Sequence, residues 1–420
     1  MMEWLHRQSH SISSAALMLG AASFMARLLG VLRDRILAGM YGAGPTLDAY
    51  YVAFRIPDML YNFVILGTLS AAFIPLFASE RTRDKHWAFA NNILTIIATF
   101  LVVASGALWL CAPLLMHILA PGFTLAQHDL AVAMTRVLFL SPLLLGLSGI
   151  FNAMLQAHQR FVASALSPLL YNLGIIAGAL FLVPLIGPWG LAWGVVLGAF
   201  LHMAVQIPSI VALGFIFQPS FRIRDATLRH MLTLSVPRII SLGVAQVELV
   251  IATIITSGLI AGSMSVFQFG YNIQSFPLGI IGISFATAAF PTLAGHMSNG
   301  HGKDFLHSFT STLRQVVFFM APAASLLLLL RAQIVRVLLG GPHFDWADTI
   351  ATTEVLTWFA FSLVAQALIP LFTRAFYARK STTIPLIAGM GGVATSVSLS
   401  LLLAPRWGVG GLACAFSVSQ

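Results

Sequence analysis

The chain has 420 residues, of which 58% are apolar and only 8% are charged, and its formal net charge is +9. A soluble domain is roughly one quarter charged, so this composition excludes a soluble globular protein. Apolar stretches of about 20 residues recur, longer than the roughly ten-residue strands of a membrane barrel. The sequence therefore predicts an all-α polytopic membrane protein, because only helices and closed barrels satisfy their backbone in lipid.

The hydropathy pattern predicts about twelve membrane helices after an amphipathic lead-in at residues 1–10. The twelfth is expected to begin near Gly408 and to be cut short at Gln420. In chain order, the other expected spans are 12–40, 47–78, 88–118, 127–157, 162–184, 189–216, 230–260, 264–295, 305–330, 349–378 and 383–404. The first span continues past the length of a cleavable signal, so we expect it to remain as a helix.

The distribution of lysine and arginine between the short loops predicts the orientation. Loops after even-numbered spans carry eleven of these residues, whereas loops after odd-numbered spans carry essentially Arg406 alone. Because cytoplasmic loops are enriched in basic residues, we expect a cytoplasmic N-terminus. The same rule explains the positive net charge without nucleic-acid binding.

A weak internal repeat predicts two lobes of six helices each. Pro168 and Pro385 lead into helices that end before the similar stretches Pro188–Ala192 and Trp407–Ala413. Internal repeats mark many transporters, whose substrate lies between the halves. We expect an N-terminal lobe at 1–216, a polar cytoplasmic linker at 217–229 and a C-terminal lobe at 230–420.

Charged residues in the first span indicate a polar cavity. Arg27 and Asp34 are seven residues apart and share one helix face, while Arg33 points to another side. An ionised side chain at mid-bilayer costs roughly 2.5–3.5 kcal/mol on insertion scales, so it normally faces a partner or water. The alternative is that these residues pair with one another near helix ends, where long side chains reach water.

A second polar stripe follows in the next span, where Asp48, Arg55 and Asn62 are also spaced by seven. Pro57 and Gly67 interrupt this span and allow it to bend. The planar guanidinium fork binds two phosphate oxygens at once, so the arginines suit an anionic head group. In this interpretation the acids Asp34 and Asp48 hold the arginines in place.

Polar residues in the second half carry weaker signals. Glu248, inside the seventh span, is a candidate coupling-ion or proton site, and an internal ion pair is the alternative. Asn272 precedes Phe276 and Pro277 in the eighth span, where a break in the helix can expose backbone to a ligand. Helix–helix hydrogen bonding explains the same residue without a substrate.

No pattern predicts an enzyme, a cofactor or a metal site. The two cysteines, Cys111 and Cys414, are isolated, and the twelve histidines show no metal-ligand spacing. No nucleophile–base or carboxylate pair suitable for catalysis stands out.

The opening stretch resembles the MurJ/MviN family of lipid II flippases, and similar motifs continue in order along nearly the whole chain. The matching stretches include Arg27–Asp34, Tyr41–Gly44, Val52–Pro57, Leu69–Pro75, Ala120–Phe123, Pro168 with Asn172, Phe276–Gly279 and Ala289–Leu293. The resemblance implies the fold of the multidrug/oligosaccharidyl-lipid/polysaccharide exporter superfamily, with two six-helix lobes around a V-shaped cavity. It also implies substrate-binding roles for Arg27, Arg33, Asp34 and Asp48.

The chain departs from the family pattern at three polar positions. The family has an arginine where this chain has Asn62, a glutamate where it has Leu66, and an arginine where it has Asn272. Members often have fourteen helices, the last two forming a groove for the lipid tail.

The residues and the resemblance together predict a flippase of the bacterial inner membrane. It would move a lipid-linked, diphosphate-bearing peptidoglycan precursor outward by alternating access, with this anionic glycan lipid, membrane lipids and cell-wall synthesis proteins as partners. The candidate binding residues are Arg27, Arg33, Asp34, Asp48, Arg55, Asn62 and Asn272. The alternatives are another exporter of the same superfamily, for polysaccharide lipids or for drugs and cations, and a transport-inactive membrane scaffold.

Overall fold

A computed structural model describes residues 12–66, 73, 76, 77 and 83–420 of the chain. These residues form helices and connecting turns, with no strand among them, which confirms the predicted all-α class. The helices are α1 (Ile12–Tyr41), α2 (Pro45–Ala53), α3 (Arg55–Tyr61), α4 (Arg83–Leu110), α5 (Ala112–Leu119), α6 (Leu125–Leu138), α7 (Leu140–Ala157), α8 (Phe161–Ala177), α9 (Val183–Ile186), α10 (Trp189–Ala204), α11 (Ile207–Val211), α12 (Ala226–Ser257), α13 (Ser263–Pro277), α14 (Ser284–Ser298), α15 (Gly302–Leu329), α16 (Arg331–Leu339), α17 (Trp346–Ala378) and α18 (Thr383–Ser419).

Eight helical stretches within the described residues are long and apolar enough to cross a membrane. They are His86–Leu110, Leu125–Ala157, Phe161–Ile186, Trp189–Val211, Ser263–Ser298, Gly302–Leu329, Trp346–Ala378 and Thr383–Ser419. The last stretch changes direction at Gly408, whose φ of 56° is non-helical. This break lies where the sequence predicts the twelfth span to begin. The total of twelve spans stays a prediction, as do the lead-in at 1–10 and Gly67, which lie outside the described residues.

Three helices continue through short π-helical segments at Asn62–Leu66, Gly178–Leu182 and Leu278–Ile283. The predicted second span is also interrupted earlier, between α2 and α3. Pro57 has no N–H to donate to the Ala53 carbonyl, one turn before it. The Thr135 hydroxyl of α6 reaches that carbonyl instead, at 3.5 Å. The predicted effect of Pro57 is thus seen as a break in the hydrogen-bond ladder.

By its internal contacts the chain divides into two compact units. Unit 1 comprises residues 1–33 and 49–246, and unit 2 comprises residues 34–48 and 247–420. The predicted lobe boundaries at 216 and 230 stay predictions.

Small residues set the packing of α8 and α10 in unit 1. Gly174 and Gly178 on one side meet Gly194 and Gly198 on the other, and a side-chain carbon at Gly194 would lie 2.7 Å from the Gly178 Cα. Membrane helices approach closely where such small residues recur every four positions. Any larger side chain here would push the two helices apart.

Two buried asparagines of α4 hold the stretch predicted as a linker. Asn91 accepts a hydrogen bond from the Gln218 N–H at 2.9 Å, and Asn92 accepts one from the Arg222 N–H at 2.7 Å. Their amide groups donate back to the carbonyls of Ile216 and Arg222. Residues 216–222 are therefore fixed against α4 by side chains that take the place of secondary structure.

Candidate functional site

Arg33, on α1, is oriented by an asparagine of α8 in unit 1. Its guanidinium donates to the Asn172 Oδ1 at 3.3 Å. The Asn172 amide nitrogen donates in turn to the carbonyls of Pro168, at 3.0 Å, and Ala26, at 3.4 Å. Gly30 lies opposite, and a side-chain carbon there would be 3.9 Å from the Asn172 oxygen. A buried asparagine therefore links Arg33 to the α1 backbone next to Arg27, which is half-buried.

A second polar group forms around Asp58 of α3. The Asn62 amide donates to the Asp58 carboxylate at 2.9 Å. Arg55, three residues before Asp58, lies within Coulombic range of it on the same helix. The Tyr171 hydroxyl of α8 lies within Coulombic range of Asp58 and of Arg33. Unit 1 thus brings the predicted residues Arg33, Arg55 and Asn62 into one polar neighbourhood.

Asp34 and Asn272 meet in unit 2. The Asn272 amide donates to the Asp34 carboxylate at 2.8 Å, and its oxygen accepts a hydrogen bond from Gln268 at 2.9 Å. Asp34 is only 5% exposed. These two candidate residues, which the sequence does not predict as a pair, are therefore in direct contact, with a neutral amide at the position where the family resemblance implies an arginine.

Asp48, a predicted binding residue, contacts the beginning of a helix in unit 2. It is 3% exposed, and its carboxylate accepts hydrogen bonds from the Gly262 N–H (2.6 Å), the Ser265 N–H (2.8 Å) and the Ser265 hydroxyl (2.6 Å). These donors form the first turn of α13, whose N-cap Gly262 has a left-handed φ of 94°. The Asp48 side chain thus caps the N-terminus of a helix that is distant in sequence.

Glu248 lies on α12 and contacts the last helix. Ser396 and Ser419 lie close to its carboxylate, and its buried Oε1 has no hydrogen-bond partner among the described residues. The predicted alternative, an internal ion pair, has no counterpart among the contacts described for this carboxylate. The environment is compatible with a group that binds a proton or a small cation.

Three potential metal ligands meet at the turn between α14 and α15, where the sequence predicts no metal site. Ligand atoms of His296, His301 and Asp304 lie within 4.8 Å of one another. Two of the three side chains are exposed, and His301 and Asp304 are 3.7 Å apart. We assign no metal to this surface group.

Two residues of the unit 1 site were missed in the sequence. They are Asp58 and Tyr171, which are not among the binding residues that the sequence predicts. The available signal was spacing: Asp58 stands three residues after Arg55 and four before Asn62, so all three share one helix face. No local pattern identifies Tyr171, because its role depends on the packing of α8.

Comparison with known proteins gives a consistent assignment. A family model described as "Lipid II flippase MurJ" matches residues 37–420. A protein of Rhizobium tropici described as a probable lipid II flippase MurJ is 30% identical over 411 residues, covering 95% of this chain and 77% of its own length. The lipid II flippase MurJ of Burkholderia cenocepacia is 26% identical over 418 residues, covering 96% of this chain and 80% of its own.

Solved structures share the fold. A lipid II flippase MurJ in an inward closed conformation superimposes with a TM-score of 0.84 at 24% identity, covering 96% of this chain and 85% of that one. An inward-facing multidrug-resistance transporter of the MATE family and MOP superfamily gives a TM-score of 0.78 at 14% identity, covering 94% of this chain and 91% of that one. These identities support a common fold and no more.

Proposed function

The chain belongs to the lipid II flippase MurJ family, and we propose that it moves a lipid-linked peptidoglycan precursor from the cytoplasmic to the outer leaflet of the bacterial inner membrane. The observation that supports this role best is the orientation of Arg33 by Asn172. Because a buried amide fixes its orientation, the planar guanidinium has a defined direction, and its fork geometry suits the oxygens of a diphosphate.

The proposed head-group site consists of Arg27, Arg33 and Arg55. The three guanidinium groups make this set of side chains basic, so it favours an anion over the cation of a drug exporter. Asn172 and Asp58 act as positioning residues, because Asn172 accepts a hydrogen bond from Arg33 and Asp58 lies within Coulombic range of Arg55. We omit Asp48 from the binding set because α13 already occupies its carboxylate oxygens.

Asn62, Asp34 and Asn272 are assigned supporting roles. The Asn62 amide donates to Asp58, which lies three residues after Arg55. The Asn272 amide donates to Asp34, which follows Arg33 directly. The transport cycle would be alternating access, with the prenyl tail remaining in lipid.

The proposed orientation places the N-terminus and the basic loops in the cytoplasm. The precursor would then enter from the side on which it is synthesised and leave outward. Because the interior is negative, the membrane potential favours outward movement of an anion by roughly 2.3 kcal/mol per charge per 100 mV. Cell-wall synthesis proteins on the outer side are the proposed consumers of the product.

Complementation of a flippase-deficient strain tests this proposal. Arg33→Gln is compared with Arg35→Gln, which removes the same charge from an exposed neighbour that donates to the Val337 carbonyl. We expect the wild type and Arg35→Gln to support growth, and Arg33→Gln to accumulate the lipid-linked precursor at normal expression. Asn172→Leu should reproduce part of this defect.

The alternatives give different outcomes in the same strain. A drug or cation exporter would not rescue growth even as the wild type. A transport-inactive scaffold would be indifferent to Arg33→Gln and Arg27→Ala provided that expression is unchanged. Either result would contradict the proposed function.

A further inference from the structure

An exposed groove on unit 1, which we call the tryptophan groove, has no role in the proposed transport site. Helices α4, α6, α7 and α10 line it, and its volume is about 580 Å³. Its walls include Val102, Ser105, Trp109, Arg136, Trp189 and Trp193. The three indole side chains are 42–46% exposed, so they are accessible to a ligand from outside the bundle.

Two hydrogen-bond donors in the tryptophan groove lack partners. The Nε of Arg136 and the hydroxyl of Ser105 are buried and make no hydrogen bond within the described part of the chain. Ser105 is only 9% exposed, so bulk water does not easily satisfy it. A buried donor without an acceptor costs roughly 1–3 kcal/mol. Both donors therefore favour a ligand that carries acceptor oxygens.

The positive charge in the tryptophan groove indicates that its ligand carries a negative charge. Arg136 is the one charged residue among those that line the groove, and no carboxylate lines it. Its guanidinium carbon lies 4.8 Å from the centre of the Trp109 ring, so the ring face fixes the cation without neutralising it. A ligand with a net negative charge complements this arrangement.

The position of the tryptophan groove indicates the depth in the membrane at which its ligand lies. Trp189 is the first residue of α10, directly after the turn at Gly187 and Pro188. Tryptophan collects at the level of lipid head groups, where its ring is half apolar and half polar. Arg136 and Ser105 share the groove with this residue, whereas Leu140 and Leu143 continue it as an apolar wall.

We propose that the tryptophan groove binds an anionic membrane phospholipid. Its phosphate accepts hydrogen bonds from Arg136 and Ser105, and one acyl chain lies along Trp193, Leu140 and Leu143. With the N-terminus in the cytoplasm, this lipid belongs to the outer leaflet. The site is separate from the arginines assigned to the transported head group, so its test measures lipid binding and not flipping.

Native mass spectrometry of the delipidated full chain, reloaded with dioleoyl-phosphatidylglycerol or dioleoyl-phosphatidylcholine, tests the proposal. We expect the wild type to retain one phosphatidylglycerol in preference to phosphatidylcholine. Arg136→Gln should weaken this preference about fivefold, the contribution of one basic residue near a lipid surface. Arg406→Gln, which removes an exposed arginine outside the groove, should match the wild type.

A second variant keeps the test decisive if Arg136→Gln folds poorly. Gly106 lines the groove, and a side-chain carbon added there meets no other atom within 4 Å. Gly106→Leu should therefore fill the groove without disturbing the helices and abolish the retained lipid. Equal retention of both lipids by the wild type, or unchanged phosphatidylglycerol retention in Gly106→Leu, would overturn the proposal.

Discussion

Replacing Asp48 separates a structural role from a substrate-binding role, and the structure predicts the structural one. The carboxylate accepts three hydrogen bonds from Gly262 and Ser265 at 2.6–2.8 Å, all in the first turn of α13. Both partner residues are buried. The negative charge also faces the positive end of the helix dipole. Asp48→Ala removes every one of these interactions at once.

The magnitude follows from the donors that are left behind. Asp48→Ala orphans two buried backbone N–H groups, each at roughly 1–3 kcal/mol, so we expect a loss of about 2–6 kcal/mol. Asp48→Asn keeps one acceptor oxygen and turns an amide N–H toward one donor, so about half that loss is expected. For a protein of ordinary stability, about 5–15 kcal/mol, the alanine variant loses a large share.

A thermal melt in detergent, monitored by size-exclusion chromatography, measures this loss. Asp345→Ala is a matched control, because Asp345 caps α17 in the same way, by accepting from the Asp348 N–H at 2.9 Å, but is itself exposed. An exposed N-cap contributes only about 1 kcal/mol, so the control should melt near the wild type. If Asp48→Ala melts like the wild type and yet fails in complementation, Asp48 is a substrate group and the structural reasoning is wrong.

Two further changes test packing and coupling. Gly194→Val should lower the melting temperature, because overpacking costs about 1–3 kcal/mol where α8 and α10 touch. Gly391→Val is the control and should not lower it, because an added carbon there meets nothing within 4 Å. Equal melting temperatures of the two variants would refute close packing of α8 and α10. Glu248→Gln should fold normally, because Gln has nearly the same shape as Glu and the side chain is only half-buried. In proteoliposomes it should lose any dependence of flipping on an imposed proton or sodium gradient, and an unchanged dependence would place the coupling group elsewhere.

Local features of the sequence were sufficient to predict the fold class and several breaks in the helices. Pro57 weakens the second span because its missing N–H removes a backbone hydrogen bond, although Pro168 and Pro370 lie inside helices that continue. Gly408 marks the last break because only glycine adopts its positive φ easily. These features need no knowledge of the neighbouring helix, so they can be predicted from residue type and position alone.

The partners of the polar residues could not be predicted in this way. The heptad spacing of Asp48, Arg55 and Asn62 predicts one helix face, but the span is interrupted between α2 and α3, and the spacing does not say which neighbour each residue meets. Asp48 meets a helix 214 residues away, and Arg33 meets an asparagine 139 residues away. The partner of an amide or carboxylate in an apolar helix cannot be read from sequence periodicity, because it is determined by how the helices pack.

The two asparagines that depart from the family pattern alter the electrostatics of the site in the same direction. Asn62 donates to Asp58, and Asn272 donates to Asp34. An amide satisfies one lone pair of a carboxylate and leaves its charge intact, whereas an arginine would neutralise it. With neither position cationic, the positive charge available to a diphosphate resides on the arginines of the first two predicted spans. The proposed function therefore depends on Arg27, Arg33 and Arg55 more heavily than it would in a chain that carries the additional arginines.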